Sequence, residues 1–250
     1  MKIALLGYTG FVGSNLLEQL KTEYNNIDLY NSKNFKDIIN KQYDKIYCCC
    51  VKGVKYIANK NPIEDLKEIC DILLTLKTVK CDEFYLVSSQ DCNSSLSSNS
   101  TFTTLPPTEY GKNRLYFENQ IKNIFDNVYI LRIGCLFGKN LRKNVIFDLL
   151  NHHYLENLKE NFTMQLYDLK NLLEDFNFLK SSNFVNIPIN RFSQPVWISE
   201  IVDVFNQFNF NYDFKLVKNY EKCYENSGLL YSKEVQLENL KEFIYSIQKY

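Results

Sequence analysis

The sequence predicts an α/β fold: a doubly wound parallel sheet covered by helices on both faces, followed by a smaller C-terminal lobe. Three observations carry this. Short apolar runs alternate with longer segments of helical period up to about residue 140. A glycine-punctuated turn joins the first run to the first helix. Beyond residue 140 the segments become longer, more helical and less regular, which divides the chain into a region 1–140 and a mainly helical lobe 141–250 that crosses back to the sheet.

The first strand is KIALLG, and the helix after it, VGSNLLEQLKTEY, carries Val12, Leu16, Leu17 and Leu20 at helical spacing. IDLYN is a second strand, FKDIINKQY a short helix or turn, and KIYCCCV a third strand. PIEDLKEICDILLTLKTV reads as a long helix opening on Pro62, a favoured first helical position. EFYLVSS is a fourth strand, followed by a polar loop over 91–109 and the helix YGKNRLYFENQIKNIF. VYILRIGCLFG reads as a fifth strand with its exit loop, and KEVQLENLKEFIYSIQKY as the closing helix. Open α/β sheets bind ligands outside the carboxyl ends of their strands, so function is expected in the loops after Leu6, Cys50, Ser89 and Arg132.

Bulk composition narrows the classes. With 250 residues, 45% hydrophobic and 23% charged, the chain can bury a sizeable core. Lys+Arg and Asp+Glu are both 29, so nothing in the balance points to nucleic acid or a membrane surface. No apolar run approaches the length of a membrane span, and MKIALLGYTG breaks at glycine too early for a signal peptide. The eight cysteines include no CxxC pair, and Cys48-Cys49-Cys50 alternates faces if extended; these read as free thiols of a cytoplasmic protein, with no metal site expected.

Gly7, Gly10 and Gly13 form G-x-x-G-x-x-G between strand and helix. One glycine permits the tight turn, one lets backbone approach a pyrophosphate, and one lets helix and strand pack closely. The helix N-terminus adds free N–H groups and partial positive charge. This is a Rossmann-like arrangement, with Gly7, Thr9, Gly10, Phe11, Val12 and Gly13 as the candidate cofactor cradle. At the end of the second strand, an acid would bind the ribose 2′-hydroxyl of NAD, whereas a neutral or basic residue admits the 2′-phosphate of NADP. Asn31, Ser32 and Lys33 stand there and Asp28 is too early, so NADP(H) is favoured over NAD(H).

Further motifs lie on the second half of the sheet: Ser88-Ser89 at a strand end, Tyr110-Gly111-Lys112-Asn113-Arg114 with Glu118 downstream, and Leu131-Arg132 to Phe137-Gly138. Pro106-Pro107-Thr108-Glu109 precedes the tyrosine, and Phe184-Val185-Asn186-Ile187 and Pro195 to Ile201 follow later. With the glycine turn, this set resembles the extended short-chain dehydrogenase/reductase family, closest in style to reductases similar to dTDP-4-dehydrorhamnose reductase. The resemblance spans roughly residues 1–205. It implies that Tyr110 exchanges a proton with a sugar hydroxyl while a nicotinamide moves a hydride, and that Ser89 bonds the same oxygen. It also implies that Cys49, Cys50 and Val87 line the cofactor, and that Gln90, Asp91, Arg142 and Asn144 meet a nucleotide-sugar substrate. In the family a Lys one helical turn after the tyrosine supplies a cation; here Arg114 stands there as catalytic and cofactor-binding candidate, and Lys112 lies roughly 200° around the helix from it. Gln90-Asp91 in place of Asp-Glu after the serine argues against a dehydratase. Three readings remain: a 4-keto-sugar reductase of glycan biosynthesis, an NAD-dependent 4-epimerase, and a silent dinucleotide sensor or scaffold. The resemblance further implies a homodimer pairing through the helices near Pro62 and Tyr110. His152, His153 and Trp197 read as a solvated helix end and core.

Overall fold

A computed structural model of the chain describes residues 1–93, 95–96, 108–214, 216, 218–220, 223–224 and 230–249. The elements run β1 (Ile3–Leu6), α1 (Phe11–Glu23), β2 (Ile27–Tyr30), β3 (Gln42–Cys48), α2 (Lys55–Lys60), α3 (Pro62–Leu76), β4 (Lys80–Ser89), β5 (Ser95–Leu96), α4 (Glu109–Ile124), β6 (Val128–Ile133) and β7 (Cys135–Phe137). After these come α5 (Val145–Asn151), β8 (Glu160–Met164), β9 (Leu166–Asp168), α6 (Leu172–Ser181), β10 (Pro188–Asn190), β11 (Val196–Trp197), α7 (Ile198–Asn206), β12 (Lys218–Tyr220), β13 (Cys223–Tyr224) and α8 (Lys233–Gln248).

Among the described residues six strands pair in parallel in the order β10-β6-β4-β3-β1-β2. Both faces are covered, which is why the strands read as almost continuous apolar runs. In β1, Ile3 and Leu5 join one core with Leu16 and Leu20 of α1 and Phe176 of α6, while Ala4 and Leu6 join the other with Ile69 and Leu73 of α3 and Phe117 and Ile121 of α4. The Rossmann-like doubly wound sheet is therefore present. The chain winds one way from β1 to β2 and the other way through β3, β4, β6 and β10, so the switch point lies at the carboxyl ends of β1 and β3.

A third core, with Phe137, Ile146, Leu149, Val196, Ile201, Phe205, Leu240 and Ile244, fills the C-terminal part. Between its elements the chain returns to the sheet through α6 and β10, which pairs with β6. The buried carboxylate of Asp175 fixes this return, accepting from the hydroxyls of Tyr167 and Tyr231 and from Arg191 at 2.7 to 2.8 Å. Among the described residues no helix is long and apolar enough to cross a membrane.

One element boundary needs correction, and two readings gain detail. The third strand spans Gln42–Cys48 rather than 45–51. Its polar start pairs with β4 from Lys80, and beyond Cys49, whose N–H bonds Leu6 O at 2.9 Å, β1 has ended and Gly7 turns away. The segment FKDIINKQY, expected as a short helix or turn, makes a 3₁₀ turn over Phe35–Ile38, and Asn40 follows it at φ +61°. The run VYILRIGCLFG breaks at Gly134: a Cβ there would sit 2.2 Å from Gln165 O, so the chain bends and β7 pairs with β9 instead of prolonging β6. Pro106, Pro107 and most of the polar loop over 93–104 lie outside the described residues.

Candidate active site

The glycine turn is built from backbone approaches that only glycine permits. Gly7 has φ +83°, its N–H donates to Tyr30 O at 2.7 Å, and a Cβ on it would lie 2.5 Å from Cys49 O. Gly10 caps α1, and a Cβ on Gly13 would lie 2.1 Å from Gly7 O. The first turn of α1, including Phe11 and Val12, carries no acidic residue, so its positive end is not neutralised from within. Thr9 is exposed at the tip of the turn. A helix N-terminus laid this close to a strand end, at the switch point, fits a pyrophosphate.

At the end of β2, Asn31 is a turn-former. Its N–H donates to Asn34 Oδ1 at 2.7 Å, its Oδ1 accepts from Lys33 N–H at 2.9 Å, and its Nδ2 donates to Tyr8 Oη at 3.2 Å, tying it to the glycine turn. Ser32 and Lys33 are exposed. The carboxylate of Asp28 accepts from Tyr43 Oη at 2.7 Å, within the strands rather than at their ends. After β3, Cys48 Sγ and Cys50 Sγ are 3.6 Å apart. Burial pushes the Cys49 thiol up; the bond to Cys48, then burial, does the same for Cys50, so both stay protonated at neutral pH. Val87 is half-buried two register pairs before the end of β4.

Ser89 ends β4, and its Oγ accepts from Asp91 N–H at 3.2 Å and donates to Asp91 Oδ2 at 3.3 Å. Thr108 caps α4 by accepting from Gly111 N–H at 3.1 Å, which places Tyr110 in the first turn, with its N–H on Asn59 Oδ1 at 2.9 Å. The side chain of Tyr110 is buried, with Ser89 and Arg114 close enough to bear on the charge of its phenol. The guanidinium of Arg114 lies 4.3 Å from the centre of its ring. Arg114 holds a second set of bonds: Nη1 and Nη2 each meet Asp65 at 2.8 Å, and Nη2 meets Lys52 O at 2.6 Å. Its Nε is buried with no partner among the described residues. Burial opposes the charge on both members of this pair, yet their mutual bonds prevail, holding Arg114 above and Asp65 below their ordinary values.

Burial raises the pKa of Tyr110, and the charge of Asp91 adds to it; Arg114 and Ser89 pull in the opposite direction without cancelling it. At neutral pH Tyr110 is therefore a neutral phenol, a proton donor set beside a serine hydroxyl at a strand end. Lys112 does not join it, being exposed and paired with Glu109 at 2.6 Å.

The substrate-side candidates divide. Gln90 and Asp91 follow Ser89 in a 3₁₀ turn. Gln90 Oε1 is buried without a partner among the described residues and lies 3.0 Å from where a Gly134 Cβ would be. Asp91 is buried and ion-paired with Lys55. Asn144, by contrast, has its amide engaged within the chain: Oδ1 accepts from Phe147 N–H at 3.1 Å, capping α5, and Nδ2 donates to Leu136 O at 2.7 Å. Arg142 is exposed, and Lys143 Nζ reaches Gly53 O at 3.1 Å, linking this turn to the loop after β3. His152 and His153 are exposed at the end of α5, and Trp197 is half-buried ahead of α7. Among the described residues no cluster of His, Cys, Asp and Glu could hold a metal.

Sequence reading missed three contributors, Lys55, Asn59 and Asp65 from α2 and α3, and did not foresee that Arg132 and Glu118, both on its motifs, pair with each other. Glu118 accepts from Arg132 Nε at 2.9 Å and Nη2 at 2.6 Å, and from Ser88 Oγ at 2.5 Å, anchoring α4 to the strand ends that carry Ser89. The one signal for Asp65 was indirect: a buried arginine in a lysine's place calls for a carboxylate that can face its fork.

The sequence matches no family model and no curated protein. Solved structures match over the whole chain. A dTDP-4-dehydrorhamnose reductase from Clostridium acetobutylicum aligns with a TM-score of 0.69 at 16% identity, covering 99% of this chain and 100% of that one. A UDP-glucose 4-epimerase from Thermotoga maritima gives 0.69 at 12%, covering 100% and 99%, and MoeE5 in complex with UDP-glucose and NAD gives 0.71 at 14%, covering 100% and 99%. From end to end, the chain has the fold shared by these sugar-nucleotide reductases and epimerases.

Proposed function

We propose that the protein is a cytoplasmic NAD(P)-dependent oxidoreductase that reduces a keto group of a nucleotide-linked sugar, NADP(H) being the favoured cofactor. The observation that carries this is the buried, neutral phenol of Tyr110 close to Ser89 at the end of β4, on a sheet whose first turn is shaped for a pyrophosphate. The dinucleotide, when bound, supplies the hydride. Gly7, Gly10, Gly13 and the first turn of α1 would hold its phosphates; Asn31, Ser32 and Lys33 would face its adenosine ribose; Cys49, Cys50 and Val87 would wall it. Ser89 orients the substrate oxygen and Tyr110 gives it a proton. A reduction consumes a proton, so an acid that rests protonated suits it, whereas an oxidation-first epimerase needs a base at the same atom. Gln90 and Asp91 lie on the substrate side, with Arg142 in the lobe over 141–250. A homodimer paired through α3 and α4 belongs to the same reading.

The same-fold proteins named above include epimerases, and one is bound to NAD, so a 4-epimerase is the second reading. Titration with NADPH and NADH, comparing wild type with Asn31→Asp, separates the two. NADPH binding that weakens in the variant while NADH binding strengthens supports the reductase, and justifies screening 4-keto nucleotide sugars with Tyr110→Phe as control. NAD that co-purifies and does not exchange supports the epimerase. Binding of cofactor with no turnover of any such sugar points to a sensor or scaffold, and binding of neither dinucleotide refutes the cofactor assignment.

A further inference from the structure

Tyr110 and Arg114 stand one helical turn apart on α4, and the guanidinium lies over the tyrosine ring, 4.3 Å from its centre. The Thr108 cap and the bond from Tyr110 N–H to Asn59 Oδ1 fix the backbone of the tyrosine; the contact with Arg114 bears on the ring itself. The position of that guanidinium is decided from another helix. Three of its five N–H groups are committed: Nη1 to Asp65 Oδ2 and Nη2 to Asp65 Oδ1, each at 2.8 Å, and Nη2 again to Lys52 O at 2.6 Å. Asp65 is held in turn, its Oδ2 also accepting from Asn113 Nδ2 at 2.9 Å, and the same amide donates to Pro62 O at 3.0 Å. The side chains of Arg114 and Asp65 are only 5% and 10% exposed. A guanidinium at this depth is stable opposite a carboxylate and is driven toward water without one.

We propose that Asp65 is a positioning residue for the proton donor: by fixing the guanidinium of Arg114 it holds the ring of Tyr110 in the orientation from which the phenol meets its substrate. This rests on Tyr110 being the acid of the reduction proposed above. Asp65 exchanges no proton and acts through Arg114. A bidentate fork sets the plane of the guanidinium as well as its distance, whereas an ammonium would meet the carboxylate as a point charge and leave the ring without a flat support. The arginine at position 114 and the acid in the first turn of α3 are therefore one device, built from two helices and closed on the loop after β3 through Lys52 O.

The guanidinium can be read without substrate. In protein labelled with ¹⁵N-arginine, the side-chain N–H signals of Arg114 are assigned by their loss in Arg114→Lys. The ring of Tyr110 displaces them upfield, and Tyr110→Leu abolishes the displacement. Asp65→Asn should bring them to the Tyr110→Leu position. Asp65→Glu keeps the charge, and with it the fold, but shifts the carboxylate by one methylene, so it should move them part of the way; if Asp65→Asn does not fold, Asp65→Glu alone decides. Signals that stay at the wild-type position, or a wild type without the displacement, overturn the proposal. In turnover of a dTDP- or UDP-linked 4-keto sugar, kcat should fall about 100-fold in Asp65→Asn with KM nearly unchanged. The same change made in Arg114→Met should add nothing. A full second loss in that background shows Asp65 serving the fold rather than Arg114, and refutes the positioning role. A wild type that turns over no such sugar counts against the reductase and leaves the arginine signals to decide the clamp.

Discussion

Replacing Gly13 by Ala is the sharpest test of the cofactor cradle. The new methyl carbon would sit 2.1 Å from Gly7 O, 2.7 Å from Gly7 C and 3.0 Å from Tyr8 Cα, all backbone atoms that no rotamer change can move. Reaching even the 3.0 Å below which such contacts are essentially never seen requires about 1 Å of separation between the start of α1 and the turn after β1. Leu16 and Leu20 hold α1 against the sheet with no exposed surface, so part of that strain falls on the core, at about 1–3 kcal/mol of stability. The rest displaces the N–H groups that would grip the pyrophosphate. A misplacement of about 1 Å at such a site is worth about 100-fold in binding, or about 2.7 kcal/mol. Gly10→Ala is the internal control: its Cβ meets Gly7 O at 3.3 Å, which a few tenths of an ångström relieve, so it should bind within about 5-fold of wild type. Urea unfolding and fluorescence titration with NADPH and NADH measure the two terms separately. Gly13→Ala with wild-type affinity for whichever dinucleotide binds would show that the close approach serves packing alone.

Two further outcomes follow from the buried ion pairs. Glu118 has no exposed surface and its carboxylate accepts from Arg132 and Ser88, so Glu118→Ala should lower stability by about 3–5 kcal/mol in urea unfolding by leaving Arg132 short of its main counter-charge. Asp65 pairs with Arg114 and its folded pKa is held below the value of about 3.9 expected in the unfolded chain. Its contribution is thus complete above that unfolded value and is lost as the pH falls through the lowered folded one. Asp65→Asn should be clearly less stable than wild type at pH 7, with the gap closing below about pH 4; a gap equally wide at pH 2.5 would refute the pairing.

The sheet was legible because strands buried on both faces carry apolar runs: Ile3 to Leu6, Phe84 to Val87 and Val128 to Ile133 announce themselves. The misjudged ends fail for the complementary reason. Gln42 is paired with Lys80 at the sheet's rim, where its side chain is exposed, so composition gives no sign of it. Cys49 and Cys50 are apolar yet lie past the last neighbouring strand, so hydrophobicity overstates the strand. Gly134 breaks an apolar run through a contact with Gln165, 31 positions away in the chain, which no local pattern encodes.

The site shows the same division between what lies on a motif and what meets it from elsewhere. Ser89, Tyr110 and Arg114 were readable because a strand end and a helix start fix their mutual placement, and the structure brings them together. Asp65 was not, because an acid in the first turn of α3 is adequately explained by the helix dipole. Yet Asp65 decides what Arg114 does. A free lysine one turn after the tyrosine would lend a mobile point charge to the phenol, whereas this guanidinium is clamped bidentately by a carboxylate; its charge still pulls the phenol down, but the burial of Tyr110 prevails over it. The substitution at position 114 is therefore more than an exchange of one cation for another. With its partner in α3 it sets a clamped guanidinium, rather than a mobile ammonium, against the ring of Tyr110.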